Sequence, residues 1–310
     1  MAAGQRQGVA RAAGATTTAA AAGAPSVARE LRGAPVAAAI CERLAPRVEA
    51  LEAAGACPKL AIVRVGEGAG DMAYERGACS RMAKVGVACE VRALPADVAQ
   101  AELERTLRSL ADDASVHGIL MLRPLPAHLD EAAAIACVPS AKDVDGMTAL
   151  SQARVYGGEG TGFAPCTAEA VVALLEHYEV PLAGARVVVL GRSLVVGRPL
   201  ALLLMERNAT VTVCHSRTQD LAQECRRAQV LVSCMGRAGA VEAHMVAPGA
   251  VVIDVGTNDN GAGGICGDVA YEVASHIASA ITPVPRGVGS VTTSVLAAHV
   301  VTAAEAARLA

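Results

Sequence analysis

Apolar and polar positions follow two periods along the first half of the chain. Residues 28–54 place apolar side chains every three or four positions, which predicts a helix with one buried face. The run Leu60–Val65 is almost wholly apolar and ends at Gly66, which is typical of a strand buried in a parallel sheet. The alternation continues with predicted helices over 70–86, 98–112 and 130–137 and predicted strands over 87–93 and 117–122.

A second unit with the same alternation begins near Cys166. A helix is expected from there to about Tyr178, and Thr167 is expected to cap it. Because strands and helices alternate in both units, we predict the α/β class, with parallel sheets covered by helices on both faces and two domains. The remaining predicted elements are strands over 186–190, 209–213, 230–233 and 251–254, helices over 196–207 and 218–227, and a last helix over 291–308 that packs back on the first unit.

The turn after the strand at 186–190 has the character of a phosphate-binding loop. The strand runs into Gly191, and a helix opens a few residues later. A helix N-terminus after a glycine turn offers free backbone N–H groups and the positive end of the helix dipole. The usual dinucleotide fingerprint has glycine at the position of Ser193. An ordinary strand–turn–helix with surface arginines remains the alternative.

The end of the next strand indicates which nucleotide this loop binds. An NAD-binding domain normally carries Asp or Glu there for the ribose hydroxyl. This chain has Ser216 and Arg217 instead, and Arg192 stands in the first loop. Cations and hydroxyls in place of an acid favour the additional phosphate of NADP.

Composition excludes several classes of protein. Hydrophobic residues make up 53% of the chain and aromatic residues 2%, so the cores are built from Ala, Val and Leu, and a base-stacking surface for single-stranded nucleic acid is not expected. A net charge of −3 gives no reason to expect a nucleic-acid or membrane partner. The 10 cysteines form no C-x-x-C pair, which favours reduced core residues over disulfides or a metal site. We also expect no membrane-spanning helix.

The first 26 residues differ from the rest of the chain. They are rich in Ala, Gly and Thr and contain Arg6 and Arg11 with no acidic residue. Such a segment is typical of a disordered tail, with a cytoplasmic protein behind it, or of a mitochondrial presequence.

Three further segments are too polar or too constrained for plain connectors. Lys142–Gly146 reads K-D-V-D-G, and its two carboxylates either both line a cleft or divide, with one bracing a bent loop. Residues 281–290 form a proline corner followed by glycines, which suits close approach of a ligand or a mere connector. The segment 120–126 breaks at prolines at the carboxyl end of a strand, where open α/β sheets bind ligands. Cys166 lies at a helix start, where a thiol pKa can fall, although a core role is favoured.

Seven short motifs follow one another along the chain. They are, in order, K-D-V-D-G, P-C-T, G-R-S-x-x-V-G-x-P, A-T-V-T-x-C-H-S-x-T, D-V-G-x-N, G-D-V and I-T-P-V-P-x-G-V-G. Through these motifs the chain resembles the methylenetetrahydrofolate dehydrogenase/cyclohydrolase family of the bifunctional FolD type, over about residues 28–308. The resemblance implies a folate-binding catalytic domain at 27–153 with 288–310, an NADP-binding Rossmann-like domain at 154–287, a cleft between them and a homodimer. It also implies oxidation of methylenetetrahydrofolate by NADP⁺ and hydrolysis of the methenyl product.

The catalytic positions implied by this resemblance are only partly kept. Tyr74 and Asp145, expected to stack on and to hold the folate, are present. The family's lysine, four residues after the tyrosine, is Ala78, and its glutamine is Leu122. The other implied substrate residues are Met121, Arg123, Pro285, Arg286, Gly287, Val288 and Gly289, with Arg286 replacing a glycine, and the implied cofactor residues are Gly191, Arg192, Ser193, Ser216, Arg217 and Thr257.

Losing the lysine together with the glutamine that positions it affects one of the two reactions more than the other. Hydride transfer needs chiefly proximity and alignment, whereas water addition needs a proton-transfer group, whose loss costs about 10²–10⁴-fold. We therefore expect an NADP-dependent dehydrogenase with weak or absent cyclohydrolase activity. A catalytically inactive paralogue that acts as a binding or regulatory dimer partner is the alternative, and a reductase of another small substrate is a third possibility.

Overall fold

The structure is a computed structural model that describes residues 27–309. The tail over residues 1–26, with its two alternative interpretations, lies outside the described residues. Within the described part, no helix is long and apolar enough to cross a membrane.

The first sheet has three parallel strands. The central strand is β2 (Lys59–Val65), which is buried along nearly its whole length, as its apolar run predicts. The flanking strands are β3 (Ala88–Leu94) and β4 (Gly118–Met121). The helices of this unit are α1 (Gly33–Ala53), α2 (Ala69–Lys84), α3 (Gln100–Asp112) and α4 (Glu131–Ile135).

The second sheet has six parallel strands, which are β1 (Arg29–Glu30), β5 (Arg186–Leu190), β6 (Thr210–Cys214), β7 (Val230–Ser233), β8 (Val251–Asp254) and β11 (Ala280–Ile281). Their order across the sheet is β1-β11-β8-β7-β5-β6. This order reverses at β5, as in a doubly wound sheet. The helices are α6 (Cys166–His177), α7 (Gly197–Glu206), α8 (Leu221–Arg226) and α9 (Tyr271–Ala274), and β9 (Asn258–Asp259) and β10 (Ile265–Cys266) form a separate antiparallel pair.

The start of the first predicted helix is wrong, because residues 29–30 form a strand. The backbone N–H groups of Ala28, Arg29 and Leu31 donate to carbonyls of the segment 275–281, at 2.8–2.9 Å. These bonds hold the chain extended until Gly33, where α1 begins. The first strand of the chain therefore extends the sheet that the second unit forms.

Two helices complete the architecture. The last helix, α10 (Gly289–Ala307), packs against α1 as expected, and it also contacts α2 and α6. Helix α5 (Ala149–Gly157) was not predicted, although it carries ordinary end signals: the Thr148 hydroxyl accepts the Ser151 N–H and Gly158 is left-handed. This helix spans the domain boundary predicted between residues 153 and 154, and the division into domains stays a prediction.

One apolar core connects the two sheets through the helices between them. It is built from Leu, Val, Ile and Ala side chains of α1, α6 and α10, with strand residues from β2 and β5. Since aromatic side chains are scarce, this core depends on many small contacts, as composition predicts. This packing brings the end of β4 and the loop after β5 to one cavity.

Candidate active site

A cavity of about 500 Å³ lies where β4 ends. Tyr74 of α2, Arg123 after β4 and Asp145 are among its polar groups. The carboxyl ends of parallel strands are the usual ligand side of such a sheet. Its lining residues are Asp71, Tyr74, Leu120, Met121, Leu122, Arg123, Pro124, Glu131, Asp145, Thr167 and Val195.

Tyr74 reaches the cavity from α2, which an ion pair fastens to the sheet. Arg64 on β2 donates through Nε to Glu75 Oε2 at 2.7 Å, and its guanidinium also donates to the Gly66 carbonyl. Burial, with a smaller effect of Asp145, holds the pKa of Tyr74 well above its ordinary value. Its hydroxyl therefore stays neutral and is available as a hydrogen-bond donor. Sequence reasoning missed the ion pair, whose only signal was an arginine inside an apolar strand.

The two carboxylates of the K-D-V-D-G segment have different surroundings: one braces the loop and the other lines the cavity, which is the second of the two predicted arrangements. Asp143 is fully buried and accepts the N–H groups of Met147 and Thr148 and the Ser151 hydroxyl at 2.6–2.9 Å. Asp145 lies in the cavity instead. The first carboxylate thus braces the loop and the second remains available for a ligand.

Two neighbours of these carboxylates explain the rest of the motif. The ammonium of Lys142 donates to the carbonyls of Leu110, Ala111 and Asp113 at 2.7–3.3 Å, which caps the end of α3. Gly146 is left-handed, with φ of +67°, and a Cβ there would lie 2.7 Å from the Phe163 carbonyl oxygen. The lysine is therefore structural, and the glycine permits close packing of the loop.

The cavity surrounds Asp145 with one cation and other acids. Arg123 Nη2 lies 3.7 Å from Asp145 Oδ2, and Arg123 Nη1 lies 3.4 Å from Glu131 Oε1. Burial raises the pKa of Asp145 to about 6, although Arg123 acts in the opposite direction. A carboxylate with this pKa is mostly ionised at neutral pH and gains a proton in mild acid.

The positions of the family's lysine and glutamine have different surroundings. Leu122 lines the cavity beside Met121, both nearly buried. Ala78 does not line it, since its side chain is fully buried in the core with Met82. The structure therefore does not bring Ala78 among the substrate residues where the resemblance placed it.

The glycine-rich loop at 285–289 lines a separate cavity of about 290 Å³, which it shares with Thr257. Pro285, Arg286, Gly287, Val288 and Gly289 are thus not brought into the cavity that contains Tyr74. Arg286 has φ of +84°, a conformation that favours the glycine it replaces.

This loop is pressed against the first helix. The Gly33 N–H donates to the Arg286 carbonyl at 2.8 Å, and a Cβ on Gly33 would lie 2.1 Å from the Gly287 carbonyl oxygen. The geometry of residues 285–287 is therefore fixed by the start of α1 rather than left to a free connector.

The predicted phosphate loop has the close backbone approach that a dinucleotide needs. Gly191 has φ of +127°, and a Cβ on Gly197 would lie 2.2 Å from the Gly191 carbonyl oxygen. The Ser193 hydroxyl accepts the N–H groups of Val196 and Gly197 at 3.1 and 3.4 Å. Ser193 therefore orders the start of α7, in the role that a capping residue plays. The residues fit a bound dinucleotide.

The residues expected to read the ribose phosphate lie at adjacent strand ends. Arg192 follows β5, and Ser216 and Arg217 follow β6, its neighbour in the sheet; all three are exposed. The backbone here is held by local bonds, since the His215 N–H donates to the Thr218 hydroxyl at 2.8 Å. Two arginines at one edge of the sheet are a suitable environment for a phosphate.

The D-V-G-x-N and G-D-V motifs are joined by hydrogen bonds. Asp254 accepts the N–H groups of Gly256, Asp268 and Val269 at 2.8–3.0 Å. Burial raises the pKa of Asp254 to about 6 in spite of these bonds. Asp268 in turn accepts three backbone N–H groups of residues 235–237, the Ser233 hydroxyl and the Asn258 amide. These carboxylates fix the loop that carries Thr257, and their motifs are structural.

Other expectations have plain outcomes. Thr167 does not cap α6, because that helix begins one residue earlier, after Pro165. Cys166 is buried and donates to the Val144 carbonyl at 3.2 Å, and burial raises its pKa well above the ordinary value, so the core role applies. All 10 cysteines are free; three of them are buried, Cys57 is exposed and the other six are half-buried, so the expectation of core cysteines holds for only part of the set.

Comparisons with known proteins match both halves of the chain. The family model for the catalytic domain of tetrahydrofolate dehydrogenase/cyclohydrolase matches residues 31–145, and the model for its NAD(P)-binding domain matches residues 165–308. The bifunctional protein FolD of Alkaliphilus oremlandii is 48% identical over 273 residues, which cover 88% of this chain and 96% of that protein.

Solved structures agree with these matches. A Campylobacter jejuni bifunctional FolD has a TM-score of 0.86 at 36% identity, covering 89% of this chain and 98% of that one. The Trypanosoma brucei dehydrogenase-cyclohydrolase, complexed with NADP and an inhibitor, has a TM-score of 0.88 at 35% identity, covering 92% and 100%. Because both domain models match in order and these relatives align over nearly their whole length, the chain belongs to the tetrahydrofolate dehydrogenase/cyclohydrolase family.

Proposed function

We propose that this protein oxidises 5,10-methylenetetrahydrofolate to 5,10-methenyltetrahydrofolate with NADP⁺, and that it hydrolyses the product weakly or not at all. One observation carries the proposal. The cavity that contains Tyr74 and Asp145 is also lined by Val195, which belongs to the predicted phosphate loop after β5. A substrate in this cavity and a dinucleotide on that loop would therefore meet, as hydride transfer requires.

The polar groups of the cavity suit a folate. An ionised Asp145 is an acceptor for the N–H groups of a pterin ring, and Arg123 beside it limits the cost of burying the carboxylate. Tyr74 stays neutral, so it presents an uncharged ring for stacking and a hydroxyl donor. These groups bind and orient the substrate, and they leave the reacting carbon free to approach the cofactor.

When bound, NADP⁺ supplies the hydride acceptor. The turn from Gly191 to Gly197 would hold its pyrophosphate, because backbone approaches backbone there without an intervening side chain. Arg192, Ser216 and Arg217 would bind the phosphate that distinguishes NADP from NAD.

Weak hydrolysis is proposed because no lysine of residues 27–309 lines the cavity and its carboxyl of raised pKa, Asp145, is assigned to holding the pterin ring. Among the described residues that line it, Arg123 is the one basic group, and arginine does not deprotonate near neutral pH. Leu122 occupies the place of the family's glutamine, and Ala78, in the place of its lysine, is an apolar core residue. Hydride transfer produces the methenyl cation without a general acid, so the loss affects water addition first.

Two separate assays on the purified protein test the proposal. NADPH formation from methylenetetrahydrofolate measures the dehydrogenase, and decay of methenyltetrahydrofolate absorbance measures the cyclohydrolase. We expect the first activity, and hydrolysis no faster than in a Tyr74→Phe variant. Rapid hydrolysis would contradict the proposed loss, whereas binding of NADP and tetrahydrofolate without turnover would favour an inactive binding partner.

The assembly and compartment of the protein are proposals of the same kind. We propose a homodimer, which light scattering of the purified protein would test. A cytoplasmic location is supported by the bacterial FolD relatives, and fractionation of the source cells would test it.

A further inference from the structure

A histidine lies behind the cavity, on the helix that closes the chain. His299 is 6% exposed and belongs to α10, whose residues around it are apolar. Its Nε2 is 3.0 Å from Glu169 Oε2 on α6, and its Nδ1 is 2.8 Å from the Val144 carbonyl oxygen. Both ring nitrogens therefore face acceptors, across the interface between two helices and the loop that carries Asp145.

This geometry determines the protonation state of the ring. A neutral imidazole has one N–H, so it would leave one of the two acceptors facing a lone pair. The Glu169 side chain is 42% exposed, and a carboxylate in contact with water stays ionised rather than supplying the proton itself. Both acceptors are satisfied when both nitrogens of His299 donate, which is the imidazolium form of the ring.

The pKa directions of the two partners agree with this assignment. Burial lowers the pKa of His299, but the charge and hydrogen bond of Glu169 and the bond to Val144 outweigh it, and the pKa is raised. Burial raises the pKa of Glu169, and His299 reverses that effect, so the pKa is lowered. Both shifts favour the ion pair.

The pair acts on the carboxylate that faces the substrate. Val144, whose carbonyl His299 holds, directly precedes Asp145 in the chain. Cys166 donates to the same carbonyl at 3.2 Å, and the Phe163 ring stacks on the imidazole with centroids 4.7 Å apart. The positive charge of His299 also favours ionisation of Asp145.

The same residues do not form a nucleophilic triad. Cys166, His299 and Glu169 follow one another in space, but the Nδ1 proton is directed to Val144 at 2.8 Å, whereas Cys166 Sγ is 3.7 Å from Nδ1. Burial and the nearby Asp145 hold the pKa of the thiol well above its ordinary value. The histidine has no free lone pair with which to activate the sulfur.

We propose that His299, as an imidazolium paired with Glu169, is a positioning residue that fixes the Val144 carbonyl and keeps Asp145 ionised for substrate binding. This inference rests on the proposed function, because it assigns Asp145 to the folate. Several other ionisable groups also affect the pKa values of Asp145, Glu169 or His299, or are affected by them. They are Cys166 on α6, Asp143 in the loop, Tyr74 on α2 and Arg123 after β4, with Arg154 and Arg207 near Glu169.

The first test observes His299 directly. Nitrogen-15 spectra of the histidine-labelled protein, assigned with a His299→Asn variant, should show two protonated ring nitrogens at pH 7. In Glu169→Gln, which keeps an acceptor but removes the charge, His299 should lose a proton at lower pH than in the wild type. A neutral His299 at pH 7 in the wild type would overturn the inference, whatever the enzyme's activity.

The second test measures the consequence for Asp145. In His299→Asn and in Glu169→Gln, we expect the acid limb of kcat/KM to move to higher pH by about half a unit, less than the ~1–3 units of a directly contacting charge. KM for the folate should rise about threefold near pH 6, while KM for NADP stays unchanged. The exposed His276, changed to Asn, is the matched control and should leave the profile in place.

The outcomes separate the two ideas. Profiles that superimpose on the wild type would refute the positioning role even if both variants are less stable, because a merely structural histidine would not move a pH limb. Unchanged NADP affinity shows that the variants are folded. If the wild type itself forms no NADPH, the proposed function fails, and the pH dependence of tetrahydrofolate binding by calorimetry then decides the inference about His299.

Discussion

Removing the charge of Arg123 should displace the pH profile of the dehydrogenase. Arg123 Nη2 lies 3.7 Å from Asp145 Oδ2, and the two side chains are 19% and 20% exposed. Two unit charges about 4 Å apart attract by roughly 4 kcal/mol at an effective dielectric constant of about 20, which corresponds to about three pKa units. Glu131 shares the guanidinium at 3.4 Å, and contact with water screens the pair, so we expect a smaller shift of about one to two units.

The sign of the effect follows from the charge of the substrate-binding form. Burial raises the pKa of Asp145 to about 6, so the group is roughly nine-tenths ionised at pH 7. In Arg123→Met its pKa rises further, and the ionised fraction at pH 7 falls to about one half or one tenth. We expect kcat/KM for the folate to fall about two- to tenfold at pH 7 and to recover towards pH 9.

The assay is NADPH formation across pH 5–9 with NADP⁺ at saturation. The matched control is Arg105→Met, which removes an arginine that is 68% exposed on α3 and pairs with Glu102. Glu131→Gln should move the acid limb the opposite way, because it leaves Arg123 to Asp145 alone. An Arg123→Met profile that coincides with the wild type would refute the claim that this guanidinium sustains the charge of Asp145.

Three further predictions concern the cofactor, the carboxylate and the missing lysine. Arg192→Ala should weaken NADP binding about tenfold or more and NAD binding little, since a charge-assisted bond is worth about 1.5–3 kcal/mol; equal weakening in calorimetry would contradict the assignment. Asp145→Asn should abolish folate binding yet stabilise the fold at pH 7 by about 1–3 kcal/mol. The reason is that a carboxyl whose folded pKa is raised from 3.8 to about 6 costs stability as pH rises through that window. Thermal unfolding at pH 7 and pH 4 measures the effect, and a lower midpoint for the variant than for the wild type at pH 7 would contradict it. Ala78→Lys with Leu122→Gln should restore some methenyltetrahydrofolate hydrolysis. Ala78→Lys alone should mainly lower the melting temperature, because it places an ammonium at a fully buried position. Unchanged hydrolysis in a folded double variant would contradict this prediction.

Elements with long apolar runs could be predicted from the sequence, and short elements that are held by residues distant in the chain could not. The apolar run of β2 and the strand–glycine–helix at 186–197 lie where the sequence predicts them. The sequence predicts a helix at 29–30, where the structure has a strand, because the carbonyls that hold this strand extended lie about 250 positions away in the chain. Local propensity contains no information about such a partner.

The capping residues show a second limit. Thr167 and Thr148 both precede stretches that suit a helix, but only the second accepts a helix N–H. Pro165 sets the start of α6 before Thr167, so the hydroxyl falls inside the first turn. The identity of a capping residue is legible from sequence, but its position relative to the first turn depends on how the preceding loop enters the helix.

The residue types of the site could be predicted from the sequence, but the interactions between their charges could be assigned only from the folded structure. The spacing of Asp143 and Asp145 allowed either to face a ligand; the donors of Met147, Thr148 and Ser151 turned the first one inward. Since the Asp143 carboxylate is occupied by these bonds within the loop, Asp145 is the carboxylate of this motif that is available to a ligand, and its pKa is raised. That carboxylate has two cations, Arg123 beside it and His299 behind it, and neither could be assigned to it from sequence. A site without the family's lysine therefore still has a means of keeping one acid ionised, and we propose that this charge serves folate binding and not the addition of water.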